Sequence, residues 1–181
     1  MKLNVTIEIP KNSNIKYEYD RATKEIMVDR ILHGSMVYPH NYGFLKEALD
    51  YDGDELDVLV FADQAFQPGI KVPARVLGAM KMIDGGETDT KLLAVIDVDP
   101  RYKHINNFKD IPLHWLAEVQ DFFENYKNLQ NKKVKILGFE DEIWAQKEYE
   151  ECVLLMKEYG HLKKDEFVTK MMKERPEKYI K

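Results

Sequence analysis

The stretch Asp52-Gly53-Asp54-Glu55-Leu56-Asp57-Val58-Leu59-Val60-Phe61 joins a turn crowded with carboxylates to an uninterrupted apolar run. A short apolar run bounded by turn residues reads as a strand, predicted over Leu56 to Phe61, so the acids sit where a turn enters a sheet. Like charges this close repel one another unless cations hold them, and hard divalent ions take oxygen ligands of this kind. For one such hexapeptide a solvated acidic turn is the plainer reading. The arrangement returns, however, at Asp84-Gly85-Gly86-Glu87-Thr88-Asp89, which precedes Thr90-Lys91 and the apolar stretch Leu92-Leu93-Ala94-Val95-Ile96. Two acidic turns, each leading into a buried strand, point to a magnesium-type site.

Outward from this pair, the first two-thirds of the chain reads as strands and the last third as helices. Leu3, Val5, Ile7 and Ile9 alternate with Asn4, Thr6 and Glu8, which predicts a half-buried strand with Glu8 on its polar face. Ile15 to Tyr19 and Glu25 to Asp29 flank a polar turn and read as a hairpin in which Lys16 and Glu18 share a face. Further strands are predicted at Lys71 to Met80 and Lys91 to Ile96, with a turn at Pro68-Gly69. After Pro112 the apolar positions Leu116, Val119, Phe123 and Tyr126 take helical spacing, with Asp110 as the expected cap. A strand at Lys133 to Leu137 leads to a second helical pattern through Ala145, Tyr149, Cys152, Met156 and Tyr159. The charged end, Lys163 to Arg175, predicts a short amphipathic helix around Phe167 and Met171. No repeat, low-complexity tract or linker divides the chain, so a single domain over residues 1–181 is expected.

Composition limits the function classes. A chain of 181 residues with 44% hydrophobic and 11% aromatic residues can bury a real core. Its 27 basic and 32 acidic residues give a net charge of −5, which argues against a nucleic-acid partner. Cys152 is the only cysteine, so no intrachain disulfide forms and an intracellular setting is expected. There is no run of membrane-spanning length, and Met1-Lys2-Leu3-Asn4 opens directly into a strand pattern rather than a signal peptide. The expected location is the cytoplasm.

Several mechanisms lack their residues. Ser13 and Ser35 are the only serines, and neither sits in a G-x-S-x-G elbow. Cys152, on the apolar side of a helical pattern, reads as a packed core thiol. No phosphate-binding G-x-x-x-x-G-K-[ST] loop occurs. His33, His40, His104, His114 and His161 show no metal-ligand spacing and read as surface or supporting residues. Counted from Asp50, a calcium loop fails at Glu55, where its glycine belongs, and at Phe61, where its bidentate glutamate belongs. Asp97-Val98-Asp99-Pro100-Arg101 follows an apolar strand as an aspartyl-phosphate nucleophile would, but Arg101 replaces the expected hydroxyl.

Carboxylates that hold metal need an anionic partner, and the chain offers groups to bind one. Lys16, Arg30, Lys91 and Lys127 supply charge, and Tyr38, Tyr42 and Tyr126 supply neutral donors. The ensemble Glu8-Ile9-Pro10, Ile15-Lys16-Tyr17-Glu18, Val28-Asp29-Arg30, Tyr38-Pro39, Asn41-Tyr42-Gly43, Asp52-Gly53-Asp54 with Asp57, Asp84 with Asp89 and Lys91, and Tyr126-Lys127 resembles soluble inorganic pyrophosphatase of the first family, the bacterial cytoplasmic type. The resemblance runs from about Glu8 to about Lys135. It implies an α+β, mainly β fold: a five-stranded, closed, OB-like β-barrel with flanking α-helices. It also implies Asp52, Asp57, Asp84 and Asp89 as ligands of Mg2+, with Glu8 and Glu18 at the rim and Glu8 added to the metal set. Lys16, Arg30, Tyr42, Lys91, Tyr126 and Lys127 would hold substrate oxygens, and Tyr38 would support the pocket. Asp54 would be the catalytic base, with Asp89 as the alternative. The implied assembly is a homo-oligomer, a hexamer by the habit of bacterial members. Gly85 departs from relatives that carry an acid beside Asp84, and residues 160–181 form a C-terminal extension beyond the family core that chemistry is not expected to need.

The implied activity is magnesium-dependent hydrolysis of pyrophosphate to two phosphates by direct attack of a metal-activated water. Pyrophosphate is compact and highly anionic, so an attacking hydroxide is repelled unless metals and cationic side chains neutralise both phosphoryl groups. Two other classes share parts of this signature. A nucleic-acid or ligand-binding barrel would interleave aromatics with a basic stripe, whereas this chain concentrates acids in its turns. A metal-dependent nuclease or nucleotide phosphohydrolase would share the acids and the magnesium, and pocket size decides between them.

Overall fold

The computed structural model describes residues 1–179. In chain order the strands are β1 (Lys2–Ile9), β2 (Ile15–Asp20), β3 (Glu25–Ile31), β4 (Asn41–Leu49), β5 (Glu55–Phe61), β6 (Lys71–Asp84), β7 (Glu87–Thr88), β8 (Lys91–Ile96) and β9 (Val134–Asp141). The helices are α1 (Leu113–Asn125), α2 (Glu142–Tyr159) and α3 (Lys164–Glu174). Strands β1-β4-β5-β8-β6 pair in that order, and β6 pairs back onto β1, closing a five-stranded barrel. Closure removes the free edges an open sheet would expose. β9 and β7 extend β6 beyond the barrel, and β2–β3 form a separate hairpin.

β5 and β8 are the one parallel pair of the barrel, with Asp57 opposite Lys91 and Phe61 opposite Val95. Strands buried on both faces read as continuous apolar runs rather than alternating ones. Accordingly Leu56, Val58, Leu59, Val60 and Phe61 are fully buried, as are Leu92 to Val95. Each such side chain contributes about 1.5–3 kcal/mol by leaving water. Parallel pairing has a consequence for the site. Each acidic turn enters its strand at the N-terminal end, so pairing the strands in parallel brings both turns to the same mouth of the barrel.

The helices cover the barrel from outside. α1 buries Leu116, Val119, Phe122 and Phe123, and α2 buries Ala145, Cys152 and Leu155 while packing on β4 and β6. Asp141 caps α2 by accepting from the backbone N–H groups of Ile143 and Trp144 at 3.0 Å. α3 places Phe167, Val168 and Met171 against Leu49, Tyr51 and Leu155, a second small core apart from the main one.

Four expectations change. β4 was not predicted: a register shift between Leu45 and Leu49 breaks its alternation, and Gly43 weakens the strand signal. The glycine is required there, because a Cβ would lie 2.2 Å from the Thr6 carbonyl oxygen of β1. Glu8 is not on an exposed polar face: it and Thr6 are buried, on a strand against which β2 packs. Asp110 does not cap α1, which starts at Pro112 without a side-chain cap. It closes the preceding 3-10 turn instead, accepting from Asn106 and Asn107. His40 is a buried core residue, edge-on to Phe61 at 4.4 Å.

Candidate active site

At the mouth of the barrel a cavity of about 390 Å³ gathers every side chain that the sequence nominated: Glu8, Lys16, Arg30, Tyr42, Asp52, Asp54, Asp57, Asp84, Asp89, Lys91, Tyr126 and Lys127, with Glu18 and Tyr38 beside them. The elements explain the convergence. Asp52 and Asp54 come from the turn before β5, Asp57 from its start, Asp84 from the long end of β6, and Asp89 and Lys91 from the entry to β8. Lys16 and Arg30 face each other across the β2–β3 hairpin. Tyr126 and Lys127 follow directly on α1.

Lys91 is the centre of the arrangement. It is buried, and its Nζ donates to Asp57 Oδ2 at 2.5 Å and to Asp89 Oδ1. Tyr42 OH donates to the same Asp57 oxygen at 2.5 Å. Phe44, two residues from Tyr42, pairs with Asp57, so Tyr42 reaches the carboxylate diagonally across the strands. Burial works against the Lys91 charge, but Asp57, Asp89 and Asp52 together outweigh it and raise its pKa. Lys127 donates to Asp84, Lys16 to Glu18 and Arg30 to Asp29. An aromatic wall supports the donors: Tyr38 packs against Phe122 at 4.7 Å and Tyr42 at 5.5 Å, and Tyr126 stacks on Phe122 at 5.1 Å.

The electrostatics describe a cleft short of positive charge. Nine carboxylic side chains line it against six lysines and arginines. Burial, then Asp57, raises Glu8 to about 8. Burial and Asp89 raise Asp57 to about 6 although Lys91 opposes them, and burial, Asp89 and Asp54 raise Asp52. Crowded carboxylates take up protons when too little positive charge is near. A hard divalent cation gives the same relief, and its preferred donors are the oxygens gathered here. The donor set of Asp52, Asp57, Asp84, Asp89 and Glu8 therefore fits such an ion.

Other residues entered the site without being anticipated. Glu87 and Lys132 line the cleft, and so does Lys164 at the start of α3, whose Nζ donates to Asp54. No motif marks Lys164; it sits in a Lys/Glu-rich tail expected to be remote from the chemistry. Glu55 lines the cavity but is held from behind by Arg21 Nε at 2.7 Å. Asp97, the false nucleophile, is paired with Lys2 and Arg75 away from the cleft. Cys152 is packed in the main core as expected, with two carboxylates beside it: among the described residues, ligand atoms of Asp50, Glu148 and Cys152 lie within 4.8 Å of one another, all three residues buried.

A closed barrel with crowded carboxylates, lysines and tyrosines at one mouth fits a hydrolase acting on a compact phosphate-bearing anion. A model of the family described as inorganic pyrophosphatase matches residues 5–157. The chain is 72% identical over 179 residues to the inorganic pyrophosphatase of Malacoplasma penetrans, covering 99% of each. Among solved structures, the inorganic pyrophosphatase from Thermus thermophilus aligns with a TM-score of 0.82 at 38% identity, covering 86% of this chain and 91% of that one. The one from Coxiella burnetii aligns with a TM-score of 0.81 at 44% identity, covering 84% and 94%. The chain belongs to the inorganic pyrophosphatase family, and the reaction is hydrolysis of the phosphoanhydride bond of pyrophosphate.

Proposed function

We propose that the cleft hydrolyses pyrophosphate with Mg2+ as cofactor, by direct attack of water on one phosphorus. The observation that carries this reading is the meeting of both acidic turns at one barrel mouth with Lys91 between Asp57 and Asp89. Asp52, Asp57, Asp84, Asp89 and Glu8 would hold the cation. When bound, it supplies Lewis-acid neutralisation of the phosphoryl oxygens and activates the attacking water.

The chain's own residues do the rest. Lys16, Arg30 and Lys127 neutralise substrate oxygens, and Tyr126 donates without adding charge. Tyr42 and Lys91 fix the Asp57 carboxylate. Asp54 takes the proton from water: each of the two candidates has a lysine partner, but the Asp54 side chain is half exposed to the cavity, whereas Asp89 is buried. A proton acceptor must reach water, and this contrast favours Asp54. The leaving phosphate keeps the electron pair of the broken P–O bond, and the cationic side chains stabilise that charge.

A cytoplasmic location is proposed from the resemblance to the bacterial cytoplasmic type, and the free, buried Cys152 is consistent with it. Among the described residues no helix is long and apolar enough to cross a membrane. A single domain with residues 160–181 as an extension, and assembly as a homo-oligomer, a hexamer by resemblance, complete the proposal; neither nucleic acid nor membrane is a partner. Phosphate release from pyrophosphate, ATP and p-nitrophenyl phosphate, each with magnesium and with chelator, tests it. Turnover of pyrophosphate that needs magnesium and far exceeds turnover of ATP is the expected result. Comparable hydrolysis of ATP would favour a nucleotide phosphohydrolase, and full activity in chelator would remove the metal from the account.

A further inference from the structure

The match to the family model ends at residue 157, yet the wall of the cleft does not. We propose that Lys164, supplied by the C-terminal extension, is a positioning residue of the reaction: it holds the Asp54 carboxylate in its working orientation. The inference rests on Asp54 being the base.

Asp54 has a fixed backbone and a side chain that needs holding. Its carbonyl accepts from Asp50 N at 2.8 Å, and its N–H donates to Asp52 Oδ1 at 3.0 Å. Beyond that backbone, the contact that orients its carboxylate is Lys164 Nζ. A half-exposed ion pair holds little by itself, about 0–1 kcal/mol, because two long side chains lose freedom to form it. Lys164 arrives with that freedom already reduced. Gly53, at φ +89°, lets α3 settle on the turn so closely that a Cβ there would meet Lys164 Cγ at 2.9 Å.

The support beneath Lys164 is rigid and reaches both turns. Phe167, Val168 and Met171 fix α3 on Leu49 and Tyr51, the residues leading into the first turn. Tyr179 OH donates to the Tyr51 carbonyl at 2.6 Å. Thr88, in the second turn, donates to the Lys178 carbonyl at 2.6 Å, and Glu87 bridges to Tyr179. An ammonium delivered on such a frame can fix a carboxylate, whereas one on a loose tail could not. Displacing a base by a fraction of its reach costs rate without costing substrate affinity.

The test uses the full chain and compares Lys164→Met, Lys164→Arg, Asp54→Asn and the Lys164→Met/Asp54→Asn double variant. Lys164→Met is expected to lower kcat for pyrophosphate about 10-fold, as loss of a group that orients a reacting one does. KM should stay within about twofold and the melting temperature should hold. Lys164→Arg should recover most of the loss, and in the Asp54→Asn background Lys164→Met should change kcat less than about twofold. A folded Lys164→Met chain with unchanged kcat would overturn the inference. So would a rise in KM alone, which would make Lys164 a substrate contact, or a loss that Arg does not repair and that persists without Asp54. Absence of magnesium-dependent pyrophosphate hydrolysis in the unaltered chain would instead strike the proposed function itself.

Discussion

The C-terminal segment touches both acidic turns, but it places a lysine on the acids of only one: α3 sets Lys164 on Asp54 in the turn at Asp52–Asp57, while the acids of the turn at Asp84–Asp89 pair with lysines of the barrel and of the segment after α1. In the first turn the acids part company. Asp50 is buried and accepts from the backbone of Tyr51 and Thr90 at 2.7 Å, Glu55 is held by Arg21, Asp54 meets Lys164, and Asp52 and Asp57 look into the cavity. In the second, Asp84 meets Lys127 and Asp89 meets Lys91. Acid count is therefore a poor guide to ligand count. What separates a working carboxylate from a structural one is whether its cation stands inside the cavity or behind it.

Substitutions can break this comparison at graded depth. Asp54→Asn removes the proposed base and should lower kcat by about 10²–10⁴-fold while leaving the magnesium midpoint in place; magnesium-dependent kinetics would show whether rate and metal affinity separate. Lys127→Met takes away the cation that faces Asp84 and the substrate. It should raise KM about 10-fold with a smaller change in kcat, as steady-state kinetics would report, since a charge-assisted contact contributes about 1.5–3 kcal/mol. Glu55→Gln lies behind the wall. It should cost about 1–2 kcal/mol of stability in urea unfolding, with turnover per folded site within a few-fold of the unaltered chain.

The gentlest test lies outside both turns. Burial, with Lys11 nearby, lowers the pKa of His40 to about 3, while in the unfolded chain it is about 6.5. Between those values the unfolded state binds the extra proton, so this contribution to stability is full above about pH 6.5 and is lost as pH falls toward 3. By pH 5 the loss should amount to about 2 kcal/mol. Melting curves at pH 7 and pH 5 should show His40→Gln losing less stability across the interval than the unaltered chain; an equal loss would assign the acid sensitivity elsewhere.

The barrel's centre was legible because β5 and β8 are buried on both faces, which leaves unbroken apolar runs between polar turns. α1, α2 and α3 were legible for the complementary reason, one apolar face at helical spacing. β4 was not, since Gly43 and the shift after Leu45 spoil its alternation. Glu8 kept its period but not its environment: alternation tells which side a residue faces, not whether that side is water or a cleft. The roles of Lys16, Arg30 and the tyrosines came from resemblance, and the meeting of the two acidic turns depended on a parallel pairing that no local pattern encodes. Lys164 was invisible because its meaning lies in a contact 110 positions away.

If both turns hold one cation-dependent site, phosphate release from pyrophosphate must depend on magnesium differently in the unaltered chain, in Asp57→Asn and in Asp84→Asn. Each variant should stay folded, lose about 10²-fold or more of its turnover, and need more magnesium for what remains. Full activity in either variant at the original magnesium concentration, or pyrophosphate hydrolysis unaffected by chelator, would contradict it.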